Sequence, residues 1–287
     1  MGIFLSLLAA FIGASKDLVS KKLAFSLHGT LSAFASFLYA LPFYLAVLAV
    51  LWMLGIETFA VSQTFFLLVV LRSITDAAAE SLKMHSLSHG DISLLSPFLS
   101  LSPAFLLITS PLITGDVFSS AGAVGVLLVV MGAVVVLYRR PGVAGRGVSK
   151  QGIIYAVGSS FCFSLNACFD RLAVQIASPA LSGFAMTAAA ALMLAPFAIK
   201  RVGWRAELAT NRHSLWGRGG LEVTFMIAKL AALQFLQAPY VSGLMKSSIL
   251  VSVIGGRVLF REGDFGRRML ASALIIFGCV IIVAQEL

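Results

Sequence analysis

The sequence predicts an all-α membrane protein in which ten transmembrane helices form two inverted-topology repeats of five helices each. Three observations support this prediction. Of the 287 residues, 59% are hydrophobic and only 11% are charged, whereas soluble domains average about 25% charged residues. The apolar residues fall into ten long runs, and the second half of the chain repeats a pattern of the first. Water is therefore not the main solvent of this protein.

Ten apolar runs, separated by Gly, Pro, Ser or charged residues, give the predicted spans. A bilayer crossing needs roughly 20 mostly apolar residues. The runs cover residues 2–22, 31–54, 64–86, 92–113, 119–138, 152–171, 180–199, 219–237, 240–260 and 268–285. Helices are favoured over a β-barrel because the runs are continuous rather than alternating, and a spanning backbone must satisfy its own hydrogen bonds.

Individual runs carry further signals. The first is a span and not a signal peptide, because no charge precedes Ile3–Ala14 and Ser15-Lys16-Asp17 follows in place of a small-residue cleavage site. The fourth run places three prolines among serines between positions 93 and 111, which predicts a bent, partly hydrated gate or a kink that serves packing. Gly255-Gly256 in the ninth run predicts close helix contact.

A polar, basic and Gly-rich connector at 141–150 divides the chain into a first repeat at 1–140 and a second at 151–287. A shift of 149 residues superimposes matching residues, and a shift of 148 aligns Gly115-Asp116 with Gly263-Asp264. The pairs at 149 are Ser15 with Ser164, Asp17 with Asn166, Lys22-Leu23-Ala24 with Arg171-Leu172-Ala173, and Ser93 with Ser242. Because five spans is an odd number, the second repeat enters the membrane upside down, as in many secondary transporters.

The distribution of Lys and Arg predicts the orientation in the plasma (inner) membrane. The connectors after the odd-numbered spans hold nearly all the basic residues, whereas those after the even-numbered spans offer only Arg171. Since Lys and Arg mark the cytoplasmic face, both termini are predicted to lie outside. The net charge of +9 does not indicate nucleic acid, because the basic residues lie between apolar runs and form no soluble basic face.

Seven charged residues lie inside runs that otherwise suit lipid. They are Lys16 and Asp17 in span 1, Arg72, Asp76 and Glu80 in span 3, Lys229 in span 8 and Lys246 in span 9. Facing hydrocarbon, they would cost about 18–25 kcal/mol at about 2.5–3.5 kcal/mol each. That exceeds the roughly 5–15 kcal/mol by which a fold is stable. We therefore expect them to face one another or a water-filled cavity.

Spacing and repeat alignment indicate how these charges meet. Arg72, Asp76 and Glu80 recur every fourth residue and share one face of span 3. The alignment places Glu80 on Lys229, which predicts an ion pair between the repeats, or one interrupted by substrate. Asp17 matches Asn166, and this favours a place for both in the cavity wall. The alternative is a static set of pairs that only fixes helix packing.

The charges also indicate a substrate class. Lys16, Asp17, Arg72, Asp76, Glu80, Asn166, Lys229 and Lys246 are the candidate substrate-binding residues. Four bases against three acids suit a small polar metabolite with a carboxylate or phosphate group. Burial next to bases can bring a carboxylate's protonation into the working pH range, so Asp17, Asp76 and Glu80 are the candidates for proton coupling.

Two segments resemble the EamA-type branch of the drug/metabolite transporter superfamily. One is MKSSILVSVIGGRVLFREG at 245–263, followed by the Gly-containing apolar run 269–283. The other is SLLSPFLSLSP at 93–103, followed by Gly115-Asp116 and the run 121–138. The resemblance covers the whole chain in two copies. It departs from the family pattern at Thr114, where an acidic residue is frequent, while Glu262 keeps that residue in the second copy.

This resemblance implies a ten-helix carrier that works by alternating access. Its central cavity would be lined by spans 1, 3, 4, 6, 8 and 9, with spans 5 and 10 as an outer scaffold. The family commonly places its termini in the cytoplasm, opposite to the charge distribution. The implied partners are a small-molecule substrate and the lipid bilayer, for a monomer or homodimer without cofactor.

Three other functions stay open. An exporter of amino acids or of drugs and other cations would share the fold. A lipid flippase or scramblase would need a cavity open to the bilayer. An intramembrane enzyme would use His85, His89 and Asp91, of which the two histidines have metal-ligand spacing on a helix. We expect no metal site and no catalytic residues, because these histidines lie at the membrane edge.

Overall fold

The structure of the protein, a computed structural model, describes residues 1–24, 27, 29–57, 61–88, 98–137, 149–200, 202–248 and 265–285. Within those ranges the side chains of 17, 18, 20–22, 24, 29, 30, 80, 81, 84, 87, 88, 136, 137, 265–269 and 271 are not described. Several predicted features thus fall outside the described residues: the side chains of Asp17 and Glu80, the connector 141–148, His89, Asp91, Pro97, Gly255-Gly256 and Glu262.

The described residues form eleven α-helices and no strands, which confirms the predicted all-α class. In chain order these are α1 Gly2–Ala24, α2 Gly29–Met53, α3 Gln63–Ser88, α4 Ser102–Ile113, α5 Ser120–Leu137, α6 Lys150–Val174, α7 Pro179–Ile199, α8 Trp204–Thr210, α9 Arg212–Phe235, α10 Ala238–Met245 and α11 Phe265–Gln285.

Three of these helices are long and apolar enough to cross a bilayer. They contain the segments Leu31–Met53, Lys150–Val174 and Pro179–Ile199. Shorter apolar segments occur at Gly2–Lys16, Ser102–Ile113, Ser120–Val135 and Ser272–Gln285. These features support membrane association, and the number of crossings stays a prediction.

Two predicted spans contain a break in the helix, one of them in the fourth run, where the prolines predicted a bend or kink. In the fourth, α4 begins only at Ser102, because Pro103 has no N–H group to bond the carbonyl of Leu99 four residues back. That carbonyl accepts a hydrogen bond from Oγ of Ser160 at 3.0 Å instead. In the ninth, α10 ends at Met245, and the N–H groups of Lys246 and Ser247 bond to carbonyls three residues back. Lys246 therefore lies at the end of a helix and not within one.

The connector between α7 and α9 is also more helical than predicted. The short helix α8 occupies Trp204–Thr210, and α9 begins at Arg212, seven residues before the predicted start of span 8 at 219. The predicted spans left 200–218 as a connector. A helix that extends beyond the bilayer can carry the charged and polar side chains of this segment, because they stay in contact with water.

Helices from the two halves of the chain alternate in the bundle. The most extensive contacts join α3 to α6, α1 to α9, α2 to α7 and α5 to α11. Each pair takes one helix from before the connector 141–150 and one from after it. The main core between them includes fully buried Tyr44, Phe65, Met186 and Leu230. The halves are consequently held together by a shared core.

The helices α5 and α11 meet backbone to backbone. A Cβ atom at Gly278 would lie 2.6 Å from the carbonyl oxygen of Gly125 and 2.7 Å from a side-chain atom of Val129. Small residues let helices approach closely in this way in membranes. The crossing point therefore has no space for a side chain.

We expect Gly278→Ala to destabilise the protein by about 1–3 kcal/mol, because an added methyl group must displace the backbone of α5. Gly217→Ala is the matched control: it lies inside α9 with no atom within 4 Å of the added Cβ. Alanine there gains helix propensity and should leave stability unchanged or raise it by up to about 1 kcal/mol. Thermal unfolding in detergent measures both, and equal midpoints would show that the close contact is wrong.

Candidate functional site

A cavity of about 860 Å³ lies between the two halves of the chain. Its wall takes described residues from α1, α2, α3, α4, α6, α9 and α10. The scaffold helices α5 and α11 contribute none of the described lining residues. The resemblance implied most of these walls but not α2, which adds Ser32, Ser36 and Phe37.

The cavity extends from the middle of the bundle to one end of it. We call this the basic end, marked by Leu27, Lys83 and Arg218, which all line the cavity near helix ends. About 16 Å of helix axis separates Lys83 from Arg72 in the middle of α3. Leu233 and Ala238 form the floor, toward the opposite end of the bundle, which we call the far end.

Four charged side chains form a connected network in the middle of the bundle. Nη1 of Arg72 donates to Oδ2 of Asp76 at 2.9 Å, and its Nε donates to Oδ1 of Asp170 at 3.2 Å. Nζ of Lys229 donates to Oδ2 of Asp170 at 2.6 Å. Asp170 is fully buried behind the wall, while the other three line the cavity. It thereby joins α3 of one half to α6 and α9 of the other.

Asn166 fixes the orientation of Asp76. Its Nδ2 donates to Oδ1 of Asp76 at 2.8 Å, and its Oδ1 accepts a hydrogen bond from the hydroxyl of Thr75. Asn166 is 3% exposed and lines the cavity. Since each Asp76 oxygen already accepts one hydrogen bond, the carboxylate is held in a single position.

Both cations of the network keep donors for a ligand. Among the described residues, none accepts a hydrogen bond from Nη2 of Arg72, although the guanidinium has five N–H groups. Lys229 uses one of its three protons on Asp170. Both residues line the cavity, so an anion in it can receive hydrogen bonds from each. Such charge-assisted bonds are roughly twice as strong as neutral ones.

A second group of charges lies between the network and the basic end. Nζ of Lys16 is 3.3 Å from Oε2 of Glu222 and 3.9 Å from the centre of the Phe225 ring. Arg218 donates to the Ser32 carbonyl at 3.1 Å. The charged lining residues are Lys16, Arg72, Asp76, Lys83, Arg218, Glu222, Lys229 and Lys246. With Asp170 behind the wall, the described set holds six cations against three carboxylates, a net charge of +3.

The structure brings six of the eight sequence-predicted site residues to this cavity. They are Lys16, Arg72, Asp76, Asn166, Lys229 and Lys246. The side chains of Asp17 and Glu80 lie outside the described residues. The described acidic partner of Lys229 is Asp170, from its own half, and not the Glu80 that the repeat alignment indicated. The contact between the halves is made instead by Arg72 with Asp170.

Two important carboxylates were missed by the sequence analysis. Asp170 follows Asn166 by four residues and shares its helix face, a signal that was present in the sequence. The sequence analysis did not single it out, and it lies one residue before the predicted end of span 6 at 171, whereas α6 continues to Val174. Glu222 lies near the predicted start of span 8 at 219, a place where a charge has little cost. The helix α9 begins at Arg212, however, and places Glu222 about three turns in, at the cavity wall.

Comparison with known proteins supports the fold. No protein-family model and no curated protein matches the sequence. A crystal structure with a TM-score of 0.76 and 16% sequence identity is similar over 99% of this chain and 97% of its own. At this identity the likeness shows a shared arrangement of helices across the entire chain and carries no information on function.

Proposed function

We propose that this protein is a secondary transporter that moves a small polar metabolite with an anionic group across the plasma membrane by alternating access. In this proposal ten membrane helices form two inverted five-helix repeats, as in the drug/metabolite transporter superfamily. The observation that carries it is the 860 Å³ cavity between the halves, whose described wall holds six basic side chains. Ligand sites of small molecules occupy about 300–1,000 Å³.

The pattern of helix contacts supports two related repeats. Exchanging the halves pairs α1 with α6, α2 with α7, α3 with α9, α4 with α10 and α5 with α11. Under this exchange the contact of α3 with α6 becomes that of α9 with α1, and both are extensive. Likewise α4 with α6 becomes α10 with α1, and α9 with α2 becomes α3 with α7. A two-fold relation between the halves accounts for this correspondence.

The interrupted helices support a binding site at the cavity. The breaks at Ser102 and Met245 fall in corresponding spans of the two halves, and both residues line the cavity. In secondary transporters of inverted-repeat plan, discontinuous helices in matching positions form the substrate site, and a half-helix N-terminus favours an anionic group. The N-terminus of α4 at Ser102 fits that role.

The charge of the wall supports an anionic substrate. Arg72 and Lys229 would bind the anionic group through their remaining donors, and Asp170 and Asp76 would hold both cations in place. The described charge of +3 attracts anions and repels a purely cationic drug. Asp76, with the acids at 17 and 80, is the candidate for a coupling proton.

Uptake into proteoliposomes tests this function. We expect radiolabelled small carboxylates or phosphates to accumulate faster than in protein-free vesicles, with saturation and with acceleration by unlabelled substrate on the opposite side. A pH gradient should raise the rate if transport is coupled to protons. Movement of labelled phospholipid without uptake of any soluble anion would contradict the proposal and support a lipid flippase instead.

A further inference from the structure

A second buried ion pair lies outside the cavity, at the far end of the bundle. Nε of Arg171 is 2.8 Å from Oδ1 of Asp116, and the hydroxyl of Ser110 donates to Oδ2 of Asp116 at 2.7 Å. The side chain of Arg171 is 14% exposed and that of Asp116 is 6% exposed. Gly115, at a φ of +70°, makes the turn that brings Asp116 back toward α6.

Arg171 also binds the end of α9. Its Nη1 donates to the carbonyl of Leu233 at 2.7 Å and to the carbonyl of Leu236. The Leu233 carbonyl belongs to the last turn of α9, where a cation is favoured by the helix dipole, and Leu236 directly follows the helix. Because Leu233 lines the cavity floor, the ion pair lies directly behind that floor.

The pair joins the two halves of the chain. Asp116 belongs to the loop between α4 and α5, whereas Arg171 and Leu233 belong to the second half. Two further contacts tie the halves at this end: Gln237 donates to the Val117 carbonyl at 2.6 Å, and Ser178 donates to Glu57. The far end is thus closed by polar contacts between the halves, while the cavity extends to the basic end.

At the far end, Gln237 has a buried side-chain oxygen, Oε1, that lacks a partner among the described residues. A buried unsatisfied acceptor costs about 1–3 kcal/mol. Water reaching this end would satisfy it, and water would also hydrate Asp116 and Arg171, whose pairing is worth little once exposed. These contacts are therefore suited to open, unlike the Asp170 network, whose separation would leave the fully buried Asp170 carboxylate without a partner.

We propose that Asp116 and Arg171 form a latch that closes the far end while the cavity is accessible from the basic end. In the opposite state of the transport cycle the latch separates, and α4 and its following loop move away from α6 and α9. This inference rests on the proposed alternating access. It identifies the contact whose breaking opens the second pathway.

Distances across the latch test this inference without any substrate. Spin labels at Val117→Cys and Gln175→Cys, in a background with the native cysteines replaced, lie on exposed positions of the two sides. In pulsed electron paramagnetic resonance we expect a larger fraction of molecules at long distance between the two labels in Asp116→Asn than in the labelled protein that keeps Asp116. Ser110→Ala removes one hydrogen bond to Asp116 and should give a smaller shift in the same direction.

Ser119→Ala is the matched control. It removes the 2.7 Å hydrogen bond of Ser119 to Gln285 and the 2.9 Å bond that its hydroxyl accepts from the Gly122 N–H at the start of α5, and it leaves both hydrogen bonds of Asp116 in place. Unchanged distances in Asp116→Asn, or an equal change in Ser119→Ala, would overturn the latch. Should Asp116→Asn not fold, Ser110→Ala decides alone by the same criterion. A distance shift in Asp116→Asn without anion uptake by the protein would support the latch and contradict the transport proposal. Anion uptake without a distance shift would support transport and contradict the latch.

Discussion

Replacing Asp170 with asparagine is expected to lower the free energy of unfolding by about 3–5 kcal/mol, the usual cost of removing one partner from a buried ion pair. Asp170 is fully buried and accepts from both Arg72 and Lys229. Asparagine has nearly the same shape but no charge, so Lys229 would lose its described acidic partner and Arg72 would keep Asp76 alone. The thermal midpoint in detergent should fall accordingly.

Two further variants show whether charge is the cause. Asp170→Asn combined with Lys229→Met removes one of the stranded cations and should recover part of the lost stability. Glu222→Gln is the matched single change: Glu222 is paired with Lys16 at the cavity wall, where water reaches both side chains. It should cost about 1 kcal/mol or less. A midpoint for Asp170→Asn equal to that of Glu222→Gln would contradict the central role of this network.

Lys229→Gln is expected to weaken anion binding by roughly 10- to 150-fold, which corresponds to the loss of a hydrogen bond with a charged group worth about 1.5–3 kcal/mol. Lys229 lines the cavity and has protons to spare after its bond to Asp170. Folding should be retained better than in Asp170→Asn, because Asp170 keeps its bond from Arg72. Isothermal titration with the anion found in the uptake screen measures the affinity.

Lys150→Gln provides the control for net charge. Lys150 is exposed in the first turn of α6 and does not line the cavity, so its replacement removes one positive charge without touching the site. We expect wild-type affinity. If the two lysine variants lose affinity equally, the anion responds to overall charge and not to a site at Lys229.

The apolar runs predicted helix bounds well for helices whose residues are apolar along their whole length. The helices α2 and α7 end within two residues of the predicted spans 31–54 and 180–199. Prediction was less accurate where a helix leaves the apolar layer, as at the start of α9. It was also less accurate for the break at Met245, which no proline after position 239 marks in the sequence, whereas the prolines of the fourth run did predict a bend near Ser102.

Part of the candidate site followed from the cost of placing charge in lipid. That argument identified Arg72, Asp76 and Lys229, since their runs are otherwise apolar. It did not identify Asp170 or Glu222, because a carboxylate near a predicted helix end carries no such cost. Pairing depends on helix rotation and depth, and an error of a few residues at a boundary is enough to assign a wrong partner.

The close glycine contact of α5 with α11 separates these two helices from the helices that line the cavity. These helices touch through their main chains at Gly125 and Gly278 and supply no described residue to the cavity. Because no side chain separates the two backbones at this point, changes of rotamer cannot let the helices slide past each other. In the transport cycle that we propose, this pair would therefore stay fixed while the other helices move. If the proposed function holds, substitutions in α5 and α11 would change stability and leave substrate preference unaltered, whereas substitutions in the cavity wall would change substrate preference.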